Sequence, residues 1–346
     1  MNRAFRLERH DVVSGRLAAL SDQQLMAMLG EATPGAVGIG GATATVDVDG
    51  VRVFVKQVPL TDLERQPEHV GSTANLFDLP MYYHYGLGSA GFGVWREVAV
   101  HTMTTRWVLA DEFAGFPLVY HWRVLPRSPV TPDPEDNERI VARWGGSTAV
   151  RRRLTAIDQA SASVALFMEH IPYSVHSWLT EQTAVGGQTA AVAYQMVERE
   201  INAGIAFMGS RGLAHFDAHF LNLLTDGDRV YFADFGLAMS DTFDLEPAER
   251  SFLREHAGYD RGHSATHFTH WLISNLAGVP WGEADDHLRA HAGGLDLPEI
   301  AAGIVGRNRD VAVTMGRFYR DLRTVGLETP FPAEELATME RRADGS

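Results

Sequence analysis

The stretch ATVDVDGVRVFVKQV, residues 44–58, restricts the fold more than any other part of the 346-residue chain. Apolar and polar residues alternate in it, valine is abundant, and the dipeptide Asp49-Gly50 separates its two halves. Alternation predicts strands with one buried face, and Asp-Gly is a preferred pair in tight hairpin turns because both turn positions need positive φ. The segment therefore predicts a β-hairpin.

Helical patterns surround this hairpin. Ser21 and Gln24 form the sequence signature of a capping box, which predicts helix within residues 3–32. The longest helical pattern, residues 189–212, ends at Gly212, a residue type that suits the left-handed conformation after a helix. Further helices are predicted at 95–113 and beyond 242, and strands at 116–126 and 162–172. This order predicts an α+β fold, β-rich at the N-terminal side and helical afterwards, rather than alternating βαβ units.

Composition excludes some classes of protein. The formal net charge is −14, which argues against nucleic acid as a partner because nucleic-acid binders usually carry a basic surface. The chain has no cysteine, so disulfides and thiolate metal sites are excluded. The N-terminal sequence lacks the apolar core of a signal peptide, and no 18-residue apolar run occurs, so a cytoplasmic protein with no membrane partner is expected.

Two short motifs carry the chemistry. GLAHFDAHFLNLL, residues 212–224, contains Asp217 and Asn222, and Asp234 follows in FADFGLA. Phosphoryl transfer from ATP needs cradled phosphates, a neutralising cation and a base against the acceptor hydroxyl. Mg²⁺ takes oxygen ligands, so Asn222 and Asp234 are the predicted metal ligands. Asp217 is then left to orient and deprotonate an alcohol.

HFDAHFLN together with DFG resembles the protein-kinase-like superfamily, which includes protein kinases, aminoglycoside phosphotransferases and choline kinases, over about residues 36–275. The resemblance implies a two-lobed protein-kinase-like fold, with a small antiparallel N-lobe sheet and a mostly helical C-lobe. It implies ATP and Mg²⁺ as cofactors and transfer of the γ-phosphate to a hydroxyl. The implied domains are an N-terminal helical extension at 1–34, an N-lobe at 35–170 with insertions at 59–94 and 127–160, and a C-lobe at 171–346.

The resemblance also implies a phosphate-binding site before the motifs. Lys56, at the end of VFVK, matches the lysine that holds the α- and β-phosphates. Gly38, Gly40 and Gly41 resemble the phosphate-covering loop, where missing Cβ atoms let backbone amides approach oxygen. Thr43 stands where a third glycine of that loop is expected.

A glutamate should hold this lysine. Glu64 and Glu68 are nearer to it in sequence, but only Glu97 lies in a predicted helix that leads directly into the strand at 116–126. Choosing Glu97 places a long insertion, 59–94, between the lysine and the helix. Its aromatic and glycine-rich part, 70–94, is a candidate lid or acceptor wall.

FMEHI resembles the linker between the lobes of this superfamily. Backbone groups of Glu169 and Ile171 are expected to hydrogen-bond adenine, and Met168 to line the rear of the pocket. The alternative is an ordinary strand edge with a core methionine.

Three departures from protein kinases bear on the acceptor. Phe216 replaces the arginine that pairs with a phosphorylated activation loop, so control by that route is not expected. His219 replaces a lysine that touches the γ-phosphate, and no Ala-Pro-Glu follows DFG. A small-molecule or short-peptide hydroxyl acceptor is therefore slightly favoured. A Ser/Thr protein kinase and a catalytically silent pseudokinase acting as a binding module stay open as alternatives, and the oligomeric state is open.

Two clusters are interpreted as structural. His263, His267 and His270 have helical spacing and no nearby paired carboxylate, which favours a helix face over a metal site. The arginines at 151–153 are interpreted as a solvent-exposed face.

Overall fold

An antiparallel sheet of five strands in the order β1-β2-β3-β5-β4 organises the first part of the chain in this computed structural model. The structure describes residues 3–38, 41–86, 88–128, 134–291 and 293–344. The strands are β1 Thr33–Gly38, β2 Gly41–Val48, β3 Val51–Leu60, β4 Val119–Pro126, β5 Ala162–Glu169, β6 Tyr173–Ser174, β7 Leu213–Ala214, β8 Leu223–Thr225, β9 Val230–Phe232 and β10 Met239–Ser240. The helices are α1 Arg3–Ala18, α2 Asp22–Gly30, α3 Val94–Leu109, α4 Pro134–Arg143, α5 Thr148–Gln159, α6 Val175–Val185, α7 Gly187–Ser210, α8 Pro247–Glu255, α9 Tyr259–Leu276, α10 Ala284–Ala290, α11 Glu299–Thr324 and α12 Ala333–Asp344. The α+β class expected from the sequence is confirmed.

The chain divides into two compact units. Unit 1 comprises the described residues of Met1–Ile171 and Asp234–Pro247, and unit 2 those of Pro172–Ala233 and Ala248–Ser346. The C-lobe predicted at 171–346 includes residues 234–247, whereas in the structure this segment belongs to unit 1, where it bonds to β3 and to the loop between β3 and α3. None of the described helices is long and apolar enough to span a bilayer.

The predicted hairpin is confirmed as β2 and β3. Val48 pairs with Val51, and the two turn residues have positive φ, 51° at Asp49 and 81° at Gly50. Both values match the type I′ geometry that favours Asp-Gly. The sheet therefore begins from a locally specified turn.

The N-terminal helices also follow their local signals. The Ser21 side chain accepts from the Gln24 amide, and the Gln24 side chain accepts from the Ser21 amide, so the predicted capping box is present at the start of α2. Helix α1 is held by Arg6, whose guanidinium bonds both oxygens of the Glu169 carboxylate at 2.7–3.2 Å. Both side chains are buried, so α1 is part of the framework of unit 1.

Two insertions pack together in unit 1. The first, residues 61–93, contains two single-turn 3₁₀ helices, and the second contains α4 and α5. Tyr83 meets Trp144 edge-on with ring centroids 4.8 Å apart. Arg153 bonds Glu64 at 2.9 Å, and each side chain is only 2% exposed. The expectation that residues 151–153 all face solvent was wrong for Arg153, which α5 turns toward the first insertion while its two neighbours stay exposed.

Unit 2 contains the long helix α7, which ends at Ser210, and Gly212 just after it has the left-handed conformation that was predicted, with φ 68°. Gly204 lets α7 approach β9 closely, since a Cβ there would lie 2.0 Å from a Phe232 ring carbon. Strands β6, β8 and β9 form a small sheet in that order. The loop from 215 to 222 connects β7 to β8 and carries Asp217 and Asn222 of the first chemical motif.

Candidate functional site

The side chain of Lys56 points to the face of the sheet that packs on α3. Lys56 lies on β3 between Phe54 and Val58, and alternate residues of a strand share one face. Phe54 and Val58 both pack in the apolar cluster that contains Val94 and Val98 of α3. The period of the strand therefore directs the lysine toward that helix.

Two carboxylates hold the Lys56 ammonium. Its Nζ lies 2.7 Å from Glu97 Oε1 and 2.7 Å from Asp234 Oδ1. The exposed fraction of the side chain is 9% for Lys56 and 3% for Glu97, but 48% for Asp234. The structure thus brings together three of the residues named from the sequence, and Asp234 is the one of the three that solvent reaches.

Electrostatics keeps Lys56 charged. Burial alone lowers the pKa of Lys56, but the carboxylates of Asp234 and Glu97 outweigh this effect and raise that pKa above its usual 10.5. Burial raises the pKa of Glu97, an effect that the Lys56 ammonium opposes and the Asp234 carboxylate reinforces. The Lys56 ammonium is therefore a permanent cation shared by the carboxylates of Glu97 and Asp234, and the Asp234 carboxylate is the one exposed to water.

Glu64, the nearer candidate in sequence, has other partners. Its carboxylate accepts from the Thr61 amide and hydroxyl, from Arg153, and from the first amide of α3 at Val94. A carboxylate at the N-terminus of a helix stabilises amides that have no partner within the helix. Glu64 therefore fixes where α3 begins, and through α3 it supports the position of Glu97.

The glycines of the predicted phosphate loop lie at the β1–β2 end of the sheet. Gly38 and Gly41 are paired across the two strands, and Gly40 lies outside the described residues. Gly41 has φ 128°, and a Cβ there would lie 2.3 Å from the Gln57 carbonyl oxygen. The close approach of β2 to β3 is thus sufficient reason for glycine at position 41, and a phosphate role for these glycines stays a prediction.

The predicted adenine linker is the end of β5 and the two residues after it. Met168, Glu169 and Ile171 are all buried. The Glu169 amide donates to the Leu118 carbonyl at 2.8 Å, and the Glu169 carboxylate is held by Arg6. Arg6 had not been singled out from the sequence, where it is one of several charged residues on a helix.

In unit 2 the loop brings Asp217 and Asn222 together. Asn222 Nδ2 donates to the Asp217 carboxylate at 2.9 Å and to the Asp217 carbonyl at 3.0 Å. Nε2 of His219 lies 3.6 Å from Asp217 Oδ1. Both side-chain bonds of Asn222 use its nitrogen, so its amide oxygen is the atom suited to a cation.

Asp260, at the start of α9, holds the backbone of this loop by hydrogen bonds. Its carboxylate accepts from the amides of His215 at 2.6 Å and Phe216 at 2.8 Å. Burial is the main reason why the pKa of Asp260 is raised. These bonds fix Phe216 at φ 63°, a conformation uncommon outside glycine. Asp260 was not among the residues predicted for the site, since the sequence indicates only helix beyond 242.

Phe216 itself is fully buried in unit 2. Its ring lies 5.6 Å from that of Phe252 and 5.0 Å from that of Tyr259, measured between centroids. The phenylalanine ring fills this aromatic setting, whereas an arginine guanidinium would have to lose its hydration there. The phenylalanine is therefore explained by packing.

The residues predicted for the site form two groups, one in each unit. Lys56, Glu97 and Asp234 are joined by hydrogen bonds in unit 1, and Asp217 and Asn222 in unit 2. Among the described residues, no group of three or more acidic or histidine side chains is placed to hold a metal ion. A predicted magnesium site must therefore draw on an amide oxygen and on phosphate oxygens as well.

Comparison with known proteins adds no assignment. No family model matches the chain, and no curated protein matches it significantly.

Proposed function

We propose that the chain is an ATP-dependent phosphotransferase that moves the γ-phosphate of Mg-ATP to a hydroxyl group, with the two-lobed protein-kinase-like fold expected from its motifs. The observation that carries this proposal is the Lys56 ammonium, bonded at 2.7 Å to both Glu97 and Asp234. A buried cation positioned by one hidden and one half-exposed carboxylate is suited to bind phosphate oxygens beside a metal ion.

The oxygen donors fit magnesium. Asp234 offers a half-exposed carboxylate, and Asn222 offers an amide oxygen because its nitrogen is committed to Asp217. The residue before Asp234 is Ala233, whose amide donates to the Asn222 carbonyl at 3.1 Å. Hard oxygen ligands of this kind, completed by phosphates and water, are what Mg²⁺ prefers. When bound, the ion would neutralise charge on the phosphate oxygens.

Asp217 is the proposed base. Asn222 donates to one of its carboxylate oxygens, and His219 lies 3.6 Å from the other. The loop geometry that Asp260 enforces holds Asp217 in a fixed orientation. In this role Asp217 orients the acceptor hydroxyl and takes its proton as the hydroxyl oxygen bonds to the γ-phosphorus and the bond from that phosphorus to the bridging oxygen breaks, with ADP leaving.

The proposed acceptor is a small-molecule or short-peptide alcohol, with a Ser/Thr protein as the alternative. The buried Phe216 supports this choice because it leaves no arginine at that position to pair with a phosphorylated loop. His219, the polar residue beside the base, is partly exposed and stands where protein kinases have a lysine.

Binding of Mg-ATP tests the first half of the proposal. Mg-ATP at about 100 times its Kd should stabilise the wild type by about 2.7 kcal/mol. Asp234→Asn should remove most of the resulting Tm increase, since it removes a charged ligand and one partner of Lys56. Asp241→Asn, the same change at an exposed position of the same segment, should keep it. An equal Tm increase in both variants would contradict the metal assignment.

Turnover tests the second half. The purified chain is incubated with Mg-ATP and a mixture of alcohols and Ser/Thr peptides, and ADP release and acceptor mass are followed. Asp217→Asn should lower kcat by about 10²–10⁴-fold, the usual contribution of a general base, with Mg-ATP affinity retained. Asp228→Asn, in an exposed turn of unit 2, is the matched control. Equal ADP release by the wild type and Asp217→Asn would instead favour a nucleotide-binding module without catalysis.

A further inference from the structure

The first insertion of unit 1 is bonded along the segment that begins at Asp234. The Leu237 carbonyl oxygen lies 2.9 Å from Nδ1 of His84, which must be the donor because a carbonyl only accepts. The Asp244 amide donates to Thr73 Oγ1 at 2.8 Å. One insertion therefore bonds to both ends of residues 237–244.

Packing reinforces these bonds. The side chains of Leu237 and Phe243 are buried, and the Arg96 guanidinium lies 5.4 Å above the Phe243 ring. Nε of Arg96 also donates to the Thr73 carbonyl at 2.7 Å. The His84 ring stacks on Phe92 with centroids 3.8 Å apart. The segment is thus covered by the insertion and by the first turn of α3.

A backbone contact brings the insertion close to Asp234 itself. Gly91 has φ 74°, and a Cβ there would lie 2.6 Å from the Gly236 carbonyl oxygen. Any side chain at position 91 would push the two backbones apart. The insertion therefore lies against the segment two residues after the carboxylate that bonds Lys56.

The second insertion in turn holds the first insertion in place. Arg153 of α5 bonds Glu64, and the Arg152 guanidinium donates to the Phe77 carbonyl at 3.0 Å. Tyr83, which precedes His84, packs on Trp144, and its hydroxyl accepts from the Ala90 amide at 3.0 Å. Both contacts restrict the motion of the loop. The loop that carries Thr73 and His84 is itself held in place.

We propose that Thr73 and His84 are positioning residues that keep the segment 234–247, and with it the Asp234 carboxylate, ordered without phosphorylation or any other covalent modification. In the protein kinases that the motifs resemble, a phosphorylated side chain can stabilise the corresponding segment by pairing with an arginine. In this chain Phe216 occupies the position of that arginine, and the first insertion provides the contacts that stabilise the segment. The effect on Asp234 as a metal ligand rests on the proposed function, whereas the ordering of the segment does not.

Hydrogen exchange on the intact protein tests the ordering directly. The wild type is first shown by intact mass to carry no modification, and the exchange of the 235–245 amides is then measured. Thr73→Val keeps the shape of the side chain but removes the acceptor, so the Asp244 amide should exchange about tenfold faster. Thr73→Ser restores the hydroxyl and should restore protection. His84→Phe keeps the ring against Phe92 but removes the donor, and should speed exchange at residues 236–238.

Mg-ATP binding by calorimetry provides the second measurement. The apparent Kd equals the intrinsic Kd divided by the fraction of time for which the segment is ordered, so Thr73→Val should raise it by no more than its tenfold effect on exchange, and Thr73→Ser should return it to the wild-type value. Fast exchange of the 235–245 amides in the unmodified wild type, or equal exchange in wild type, Thr73→Val and His84→Phe, overturns the proposal. If exchange responds as expected but no form binds Mg-ATP, the positioning role stands and the phosphotransferase proposal fails.

Discussion

Replacing Arg6 by methionine tests whether helix α1 belongs to the structural framework of unit 1. The Arg6 guanidinium bonds both oxygens of the Glu169 carboxylate and also donates to the carbonyls of Ala114 at 2.9 Å and Phe116 at 2.6 Å. The side chains of Arg6 and Glu169 are 2% and 0% exposed. Methionine keeps much of the apolar stem but leaves the carboxylate buried without its cation.

The expected cost follows from that burial. Removing one member of a buried ion pair destabilises a protein by about 3–5 kcal/mol, because the remaining charge has lost both water and partner. Arg3 provides a control on the same helix, since its pair with Asp111 has side chains 46% and 68% exposed. Exposed pairs contribute about 0–1 kcal/mol, so Arg3→Met should have little effect. Arg6→Met/Glu169→Leu removes both charges and should recover most of the loss.

Amide exchange is the appropriate assay because it reports the local stability of unit 1 next to the substitution. The amides of β5 next to Glu169 should exchange about 10²–10³-fold faster in Arg6→Met than in the wild type, the ratio that matches the lower part of that energy range. Equal exchange rates in Arg6→Met and Arg3→Met would refute the reasoning. If Arg6→Met does not fold, a folded double variant still separates loss of the pair from loss of the helix.

Three further outcomes are expected. Burial lowers the pKa of His256 from 6.5 to about 4, so this residue binds a proton more readily in the unfolded chain than in the folded one. Its contribution to the free energy of unfolding is therefore complete above pH 6.5 and falls by about 3 kcal/mol by pH 4. His256→Phe, which retains the aromatic stacking, should flatten the pH dependence of Tm over that range, and an unchanged slope would contradict the assignment. Gly204→Ala should lower Tm by crowding a phenylalanine, at a cost of about 1–3 kcal/mol, whereas Gly209→Ala, with nothing within 4 Å, should raise it; a similar response of both would refute the packing account. Arg153→Met should destabilise unit 1 by about 3 kcal/mol in chemical denaturation, and Arg152→Met, at an exposed position, by much less; equal losses would mean that the buried pair is unimportant.

Local signals in the sequence were sufficient for the hairpin and for helix α2. The Asp49-Gly50 turn and the Ser21 capping box are specified by residues within a few positions of one another, so the pattern alone determines the geometry. The strand period also directs Lys56 toward α3, and the choice of Glu97 as its partner needed only the order of helix and strand.

Burial of charge could not be predicted in the same way. Three arginines in a row at 151–153 look alike in the sequence, and only the packing of α5 on the first insertion separates Arg153 from its neighbours. Arg6 meets a partner 163 positions away, and no local pattern marks that distance. The same holds for 234–247, whose bonds to Thr73 and His84 depend on how a loop without periodicity folds.

The membership of unit 1 has a consequence for biosynthesis. Its last part, Asp234–Pro247, is translated only after the 62 residues of Pro172–Ala233 have been made. Until then Lys56 can bond only Glu97 of its two acidic partners, and the loop around His84 lacks the segment to which it bonds in the folded unit. Domains generally fold as units during synthesis, in order from the N-terminus. Unit 1 can therefore be completed only after those 62 residues of unit 2 have been synthesised.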